Sequence, residues 1–186
     1  MKRATVLAHE QLAVVLRAGD LAVDATLGNG HDTLFLAGLV GEEGRVIGFD
    51  IQDQAIESSQ RRLTEAGVME RCELVGASHA RMGDFVPAEV SAVTFNLGYL
   101  PGADQGMITR SRSTLEALNV SLQLLRSGGV ITCVCYPGHP GGLKEAEEVL
   151  AWAVRLPDHF RVEFHNEKGR HEGRPFLVSV WRLPVT

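Results

Sequence analysis

No stretch of the 186-residue chain approaches the roughly 18 consecutive apolar residues of a membrane span. Met1-Lys2-Arg3 is basic, but Ala8 to Arg17 is amphipathic and lacks the apolar run and cleavage site of a secretion signal. Both absences predict a cytoplasmic protein. Cysteine is scarce. Three occur, an odd number, and Cys133 and Cys135 alternate along one apolar run, which predicts small core residues rather than a disulfide or metal ligands. Nor is there an excess of basic charge. The formal net charge of −5 argues against bulk attraction to nucleic acid and leaves room only for a local basic patch. Repeats, low-complexity tracts and linkers are missing too, so residues 1–186 are predicted to form one domain, long enough for a substantial core.

What is present centres on Val23-Asp24-Ala25-Thr26-Leu27-Gly28-Asn29-Gly30-His31-Asp32. Leu21 to Ala25 has the size and composition of a buried strand, Gly28 and Gly30 break it, and Asp32 to Leu39 reads as a helix. A strand turning through glycine into a helix brings bare backbone N–H groups to one point, which suits a nucleotide-like ligand. A second apolar run, Val46-Ile47-Gly48-Phe49, closes on Asp50, where a doubly wound sheet sets an acid to bind ribose hydroxyls. Two cofactor classes use such a turn. A dinucleotide fingerprint wants a further glycine at position 33, which is Thr33 here. The D-x-x-x-G-x-G pattern of methyltransferases that use S-adenosylmethionine is matched in full by Asp24, Gly28 and Gly30.

Along the chain, a leading helix is predicted over Val6 to Arg17, packing through Val6, Leu12, Val15 and Leu16. Further strands are expected at Arg45–Ile51, Cys72–Val75, Val90–Asn96 and Val130–Cys135, with helices at Gln54–Glu65 and Leu143–Arg155. Ser113-Thr114-Leu115-Glu116 has the form of a capping box, predicting a helix from there to Leu125 that Ser127-Gly128-Gly129 stops. Phe160–Phe164 and Phe176–Trp181 read as a closing hairpin. Strands alternating with helices predict an α/β fold: a parallel five-stranded sheet plus a terminal antiparallel hairpin, with helices on both faces. Ligands then sit at the carboxyl ends of the strands.

Three loops fall on that edge. Gly76-Ala77-Ser78-His79 follows the third strand, where Ser78 and His79 are candidates for holding an adenine. Asn96-Leu97-Gly98-Tyr99 follows the fourth and keeps the two ends of the [DN]-P-P-[YFW] corner of amino-group methyltransferases, with both prolines replaced. There Asn96 and the backbone after it would hold an amine, and Tyr99 or Tyr136 would pack on its base. Cys135-Tyr136-Pro137-Gly138-His139-Pro140-Gly141-Gly142 follows the fifth, with His139 a candidate proton acceptor. Asp32 and Asp104 are outside candidates for that role. Asn29, His31, Asp32, Gln52 and Asn96 complete the expected cofactor contacts beside Asp24, Gly28, Gly30, Asp50, Ser78 and His79. Arg110 and Arg112, or Lys168, Arg170, His171 and Arg174, could meet phosphates.

Together the stretches Asp24 to Thr33, Phe95 to Gly102, Thr109 with Ser113-Thr114, and Cys135 to His139 carry a resemblance. The chain resembles, nearly end to end, the small methyltransferases first labelled rRNA methylases, a Rossmann-like class I methyltransferase family. That family includes a bacterial enzyme that N-methylates 5-aminomethyl-2-thiouridine at the tRNA wobble position. The resemblance implies S-adenosylmethionine as cofactor, a tRNA anticodon loop as substrate and a homodimer. A small-molecule methyltransferase and a non-catalytic cofactor- or RNA-binding module are the alternatives.

Overall fold

Parallel strands covered on both faces must be apolar throughout, and the alternation of their side chains then divides one sheet into two cores. A computed structural model of the protein, describing residues 2–87, 89–98 and 111–184, shows this division. Strands β1 (Leu21–Asp24), β2 (Arg45–Asp50), β3 (Cys72–Gly76), β4 (Val90–Leu97), β5 (Leu125–Cys135), β6 (Phe160–His165) and β7 (Phe176–Arg182) form one seven-stranded sheet in the order β3-β2-β1-β4-β5-β7-β6. The first five of these positions run parallel, and β7 pairs antiparallel with both β5 and β6. Val23, Ile47, Val93 and Ile131 point to one face, where helices α4 (Ser111–Leu124) and α5 (Gly142–Ala153) pack through Leu118 and Val149. Their neighbours Ala22, Val46, Ala92 and Val130 point to the other, under α1 (Ala4–Val15), α2 (His31–Val40) and α3 (Asp53–Glu65). The order reverses between β1 and β4, so the crevice for a ligand opens at their carboxyl ends.

The expected class of fold is the one observed, and three local readings change. α1 packs through Ala4, Ala8, Leu12 and Val15, while Val6 is 44% exposed. Ser113 lies inside α4 rather than at its cap, and Glu116 pairs with Arg112 across one helical turn. Ser127-Gly128-Gly129 does not separate helix from strand, because β5 begins at Leu125 and absorbs it. The register slips between the pairs Val90–Leu125 and Ala92–Val130, and the glycines occupy the slip. A Cβ at Gly129 would lie 2.8 Å from the Leu125 side chain. Cys133 and Cys135 are enclosed in β5 as free thiols. No helix among the described residues is long and apolar enough to cross a membrane.

Candidate active site

The loop between β1 and α2 is held from three sides. From within, Asp24 has no exposed surface and accepts hydrogen bonds from the Thr26 N–H (3.1 Å) and the Thr33 hydroxyl (2.7 Å). Burial, and after it the charge of Asp32, push the Asp24 carboxyl up to about 7. From β2, Asp50 accepts the Gly28 N–H and the Gln52 N–H, one on each carboxylate oxygen, both at 3.0 Å. From α3, the Ser59 hydroxyl reaches the Gly28 carbonyl (2.9 Å), Ser58 reaches the Asn29 side chain (3.2 Å), and Arg62 Nε reaches the Asn29 carbonyl (2.7 Å). Gly30 caps α2 in the left-handed region (φ 74°), and a Cβ there would fall 2.8 Å from Ser59 Oγ. A cap without a side chain leaves the helix's first N–H groups to be satisfied from outside it.

Asp24, expected among the cofactor contacts, is thus enclosed and braces the loop from within. His79 is likewise enclosed. Its Nδ1–H donates to the Ala25 carbonyl (2.9 Å), its ring meets Phe95 edge-on, and burial lowers its pKa. Ser78 is half-buried and caps the short 3-10 turn His79–Asp84 by accepting the Ala80 N–H. His31 is exposed at the first position of α2.

A second constellation forms where β1 and β4 end. The Asn96 N–H donates to Thr26 Oγ1 (2.7 Å), which ties the two strand ends together. The Asn96 side-chain Nδ2 donates to Asp32 Oδ2 (3.0 Å), and Asp32 Oδ1 meets His9 Nε2 of α1 at 2.7 Å. Burial acts to raise the Asp32 pKa, but hydrogen bonds from His9 and Asn96 and the charges of His9 and His31 outweigh it and hold the carboxyl below its ordinary value. Tyr136 joins from the end of β5: burial first, then the charge of Asp32, raise its pKa against a hydrogen bond with Asn96. Its ring lies against Gly98, where a Cβ would be 3.6 Å away.

His139, the expected proton acceptor, has its ring folded onto the start of α5. Its Nδ1 is 3.1 Å from the Pro140 carbonyl, and a Cβ at Gly142 would be 2.8 Å from its Nε2. It acts there on Glu145, which is buried, accepts the Thr114 hydroxyl (2.7 Å) and has its pKa raised by burial. Tyr99, Asp104 and Arg110 lie outside the described residues. Arg112 projects from α4, paired with Glu116 at 2.9 Å. Lys168, Arg170, His171 and Arg174 occupy the β6–β7 connection, where Arg174 pairs with Glu172 (2.6 Å) and Arg170 Nη1 donates to the Glu167 carbonyl (3.2 Å). That connection leans on the Tyr136–Gly142 loop: a Cβ at Gly138 would be 2.8 Å from the Gly173 carbonyl oxygen. Sequence reasoning missed His9, Thr26, Ser59 and Arg62, whose roles exist only once distant elements meet.

Residues 46–180 match the family model described as "Putative rRNA methylase". The chain belongs to this rRNA methylase family. Over 166 residues it is 44% identical to the chloroplastic tRNA (mnm(5)s(2)U34)-methyltransferase of Arabidopsis thaliana, covering 84% of this chain and 61% of that protein. It thus spans about three-fifths of that curated relative's length. A solved rRNA methylase homologue from Clostridium thermocellum superposes with a TM-score of 0.94 at 39% identity, covering 98% of this chain and 99% of that one. A Streptococcus mutans protein, described as "a putative methyltransferase" and solved in complex with SAH, superposes with a TM-score of 0.88 at 34% identity, covering 98% and 99%. Both likenesses extend over the full sheet, so the chain has the class I methyltransferase fold.

Proposed function

We propose that the protein is an S-adenosylmethionine-dependent N-methyltransferase acting on RNA, and that its substrate is the aminomethyl group of 5-aminomethyl-(2-thio)uridine at the tRNA wobble position. The observation that carries this reading is the Asn96–Asp32–Tyr136 cluster beside the Asp50-braced glycine loop, all at the carboxyl ends of the strands. The relatives described above support the cofactor and the substrate class.

The residues present fit that cofactor. Gly28 and Gly30 have φ of 50° and 74°, so no side chain covers the loop backbone, and each Asp50 oxygen keeps a lone pair for a ribose hydroxyl. Gln52 follows that carboxylate and donates its N–H to it, and Ser78 follows β3, the strand paired with β2. Once bound, S-adenosylmethionine supplies an electrophilic methyl group on a sulfonium. What the chain itself must do is present an amine with its lone pair free. An alkyl ammonium with a pKa near that of lysine, about 10.4, must lose its proton first. With Asn96 Nδ2 committed to Asp32, its carboxamide oxygen is the acceptor end that orients the amine. Tyr136 offers a ring on which an unpaired base can stack, and the basic β6–β7 connection lies against the same loop, within reach of the RNA backbone.

Single-turnover transfer from labelled S-adenosylmethionine, offered bulk tRNA, rRNA and a metabolite pool, tests the reading. Label is expected in tRNA, as a methylaminomethyl uridine after digestion. Asn96→Ala is expected to lower kcat by about a hundredfold, the cost of misplacing a reacting group, with cofactor affinity within about twofold. Label confined to rRNA or to metabolites overturns the substrate assignment.

A further inference from the structure

His9 belongs to a helix that the nucleotide loop does not need, yet it reaches the reacting corner. Its ring lies flat on Phe35, with centroids 3.9 Å apart and planes 6° from parallel, and this fixes the direction of Nε2. That atom is 2.7 Å from Asp32 Oδ1, and the other Asp32 oxygen takes the Asn96 amide at 3.0 Å. An ionised carboxylate only accepts hydrogen bonds. His9 must therefore carry a proton on Nε2, and Asn96 must turn its NH2 inward and its oxygen outward. The three side chains form one line from α1 through α2 to the end of β4.

We propose that His9 is a positioning residue for methyl transfer. Through Asp32 it fixes the Asn96 carboxamide with its oxygen toward the amine. The inference rests on the methyltransferase reading above. The interactions of His9 and His31 both act to lower the Asp32 pKa. Among the described residues Tyr136 feels the charge of Asp32, and Asp24 feels those of Asp32 and Asp50. Glu10, next on α1, is paired with Lys2 at 2.6 Å. No covalent step falls to His9. The proton leaves the ammonium for water, the nitrogen lone pair forms the new N–C bond, and the S–C bond of the sulfonium breaks.

His9→Ala removes the contact and His9→Gln restores it, since glutamine keeps an N–H where Nε2 stands. The 186-residue protein is assayed at constant pH with tRNA that bears the unmethylated amine. His9→Ala is expected to lower kcat about tenfold or more, with KM for tRNA and affinity for S-adenosylmethionine within about twofold. His9→Gln is expected to recover most of that loss. In the free protein, the nitrogen-15 side-chain amide signal of Asn96 should move in His9→Ala and return in His9→Gln. A wild-type rate in His9→Ala, an equal loss of cofactor affinity, or a His9→Gln variant indistinguishable from His9→Ala overturns the proposal. If the wild type transfers no methyl group to tRNA, the functional reading fails by itself, while the Asn96 signal still decides whether His9 holds the amide.

Discussion

Asp24 and Asp32 flank one short loop, and their surroundings drive them in opposite directions. Asp24, raised to about 7, is protonated in the folded state where the unfolded chain, with a pKa near 3.8, has lost its proton. Folding then takes up a proton, so this group's contribution is complete below pH 4 and is lost as pH rises towards 7. Asp32 is depressed, and its contribution is present above the ordinary carboxylate range and fades as pH falls through its lowered pKa. Asp24→Asn copies the neutral form. The variant's urea stability should therefore stay flat between pH 4 and 7 in the respect in which the wild type declines, a difference on the order of a few kcal/mol at pH 8. A decline as steep as the wild type's would show that Asp24 ionises without cost. Asp24, Asp50 and Asn96 were legible because each stands at a strand end with a glycine turn or a neighbouring pattern at fixed spacing. His9, Ser59 and Arg62 carry no such mark. Helical period says which side of α1 or α3 turns inward, and their partners Asp32, Gly28 and Asn29 lie 23, 31 and 33 positions away on other elements.

α2 and α3 meet through Gly30, and that junction can be tested directly. Alanine at 30 must hold a left-handed φ, which costs about 1–2 kcal/mol, and its Cβ must displace the Ser59 hydroxyl from the Gly28 carbonyl. Gly30→Ala should lower the melting temperature and weaken SAH binding measured by calorimetry by about tenfold or more, because the loop loses its tie to α3. Unchanged affinity would mean that the loop is not the cofactor's cradle. The strands were readable to within a residue or two, β5 excepted, since a strand buried on both faces is an unbroken apolar run. The exception has a local cause. A glycine pair ordinarily ends a helix, but here the last turn of α4 passes straight into a bulged strand whose register is decided by β4, and only the paired strand shows that.

In an acidic chain, Lys168, Arg170 and Arg174 cluster where the β6–β7 connection abuts the loop after β5. Replacing Lys168, Arg170 and Arg174 together by glutamine should raise KM for tRNA and flatten the dependence of binding on salt, each phosphate contact contributing to that slope. Cofactor affinity should stay within about twofold. An unaltered KM and slope would move the RNA footprint elsewhere on the protein. The same hairpin has a consequence for how the protein is made. Among the described residues β6 pairs only with β7, and β7 is threaded between β5 and β6 although it is the last of the seven to leave the ribosome. Until residues 176–182 emerge, a nascent chain already holding the nucleotide loop, Asn96 and Tyr136 presents the whole outer edge of β5, Val130 to Cys135, with no strand beside it. A stalled or prematurely terminated product therefore ends not as a smaller enzyme but as an open, sticky template for other chains.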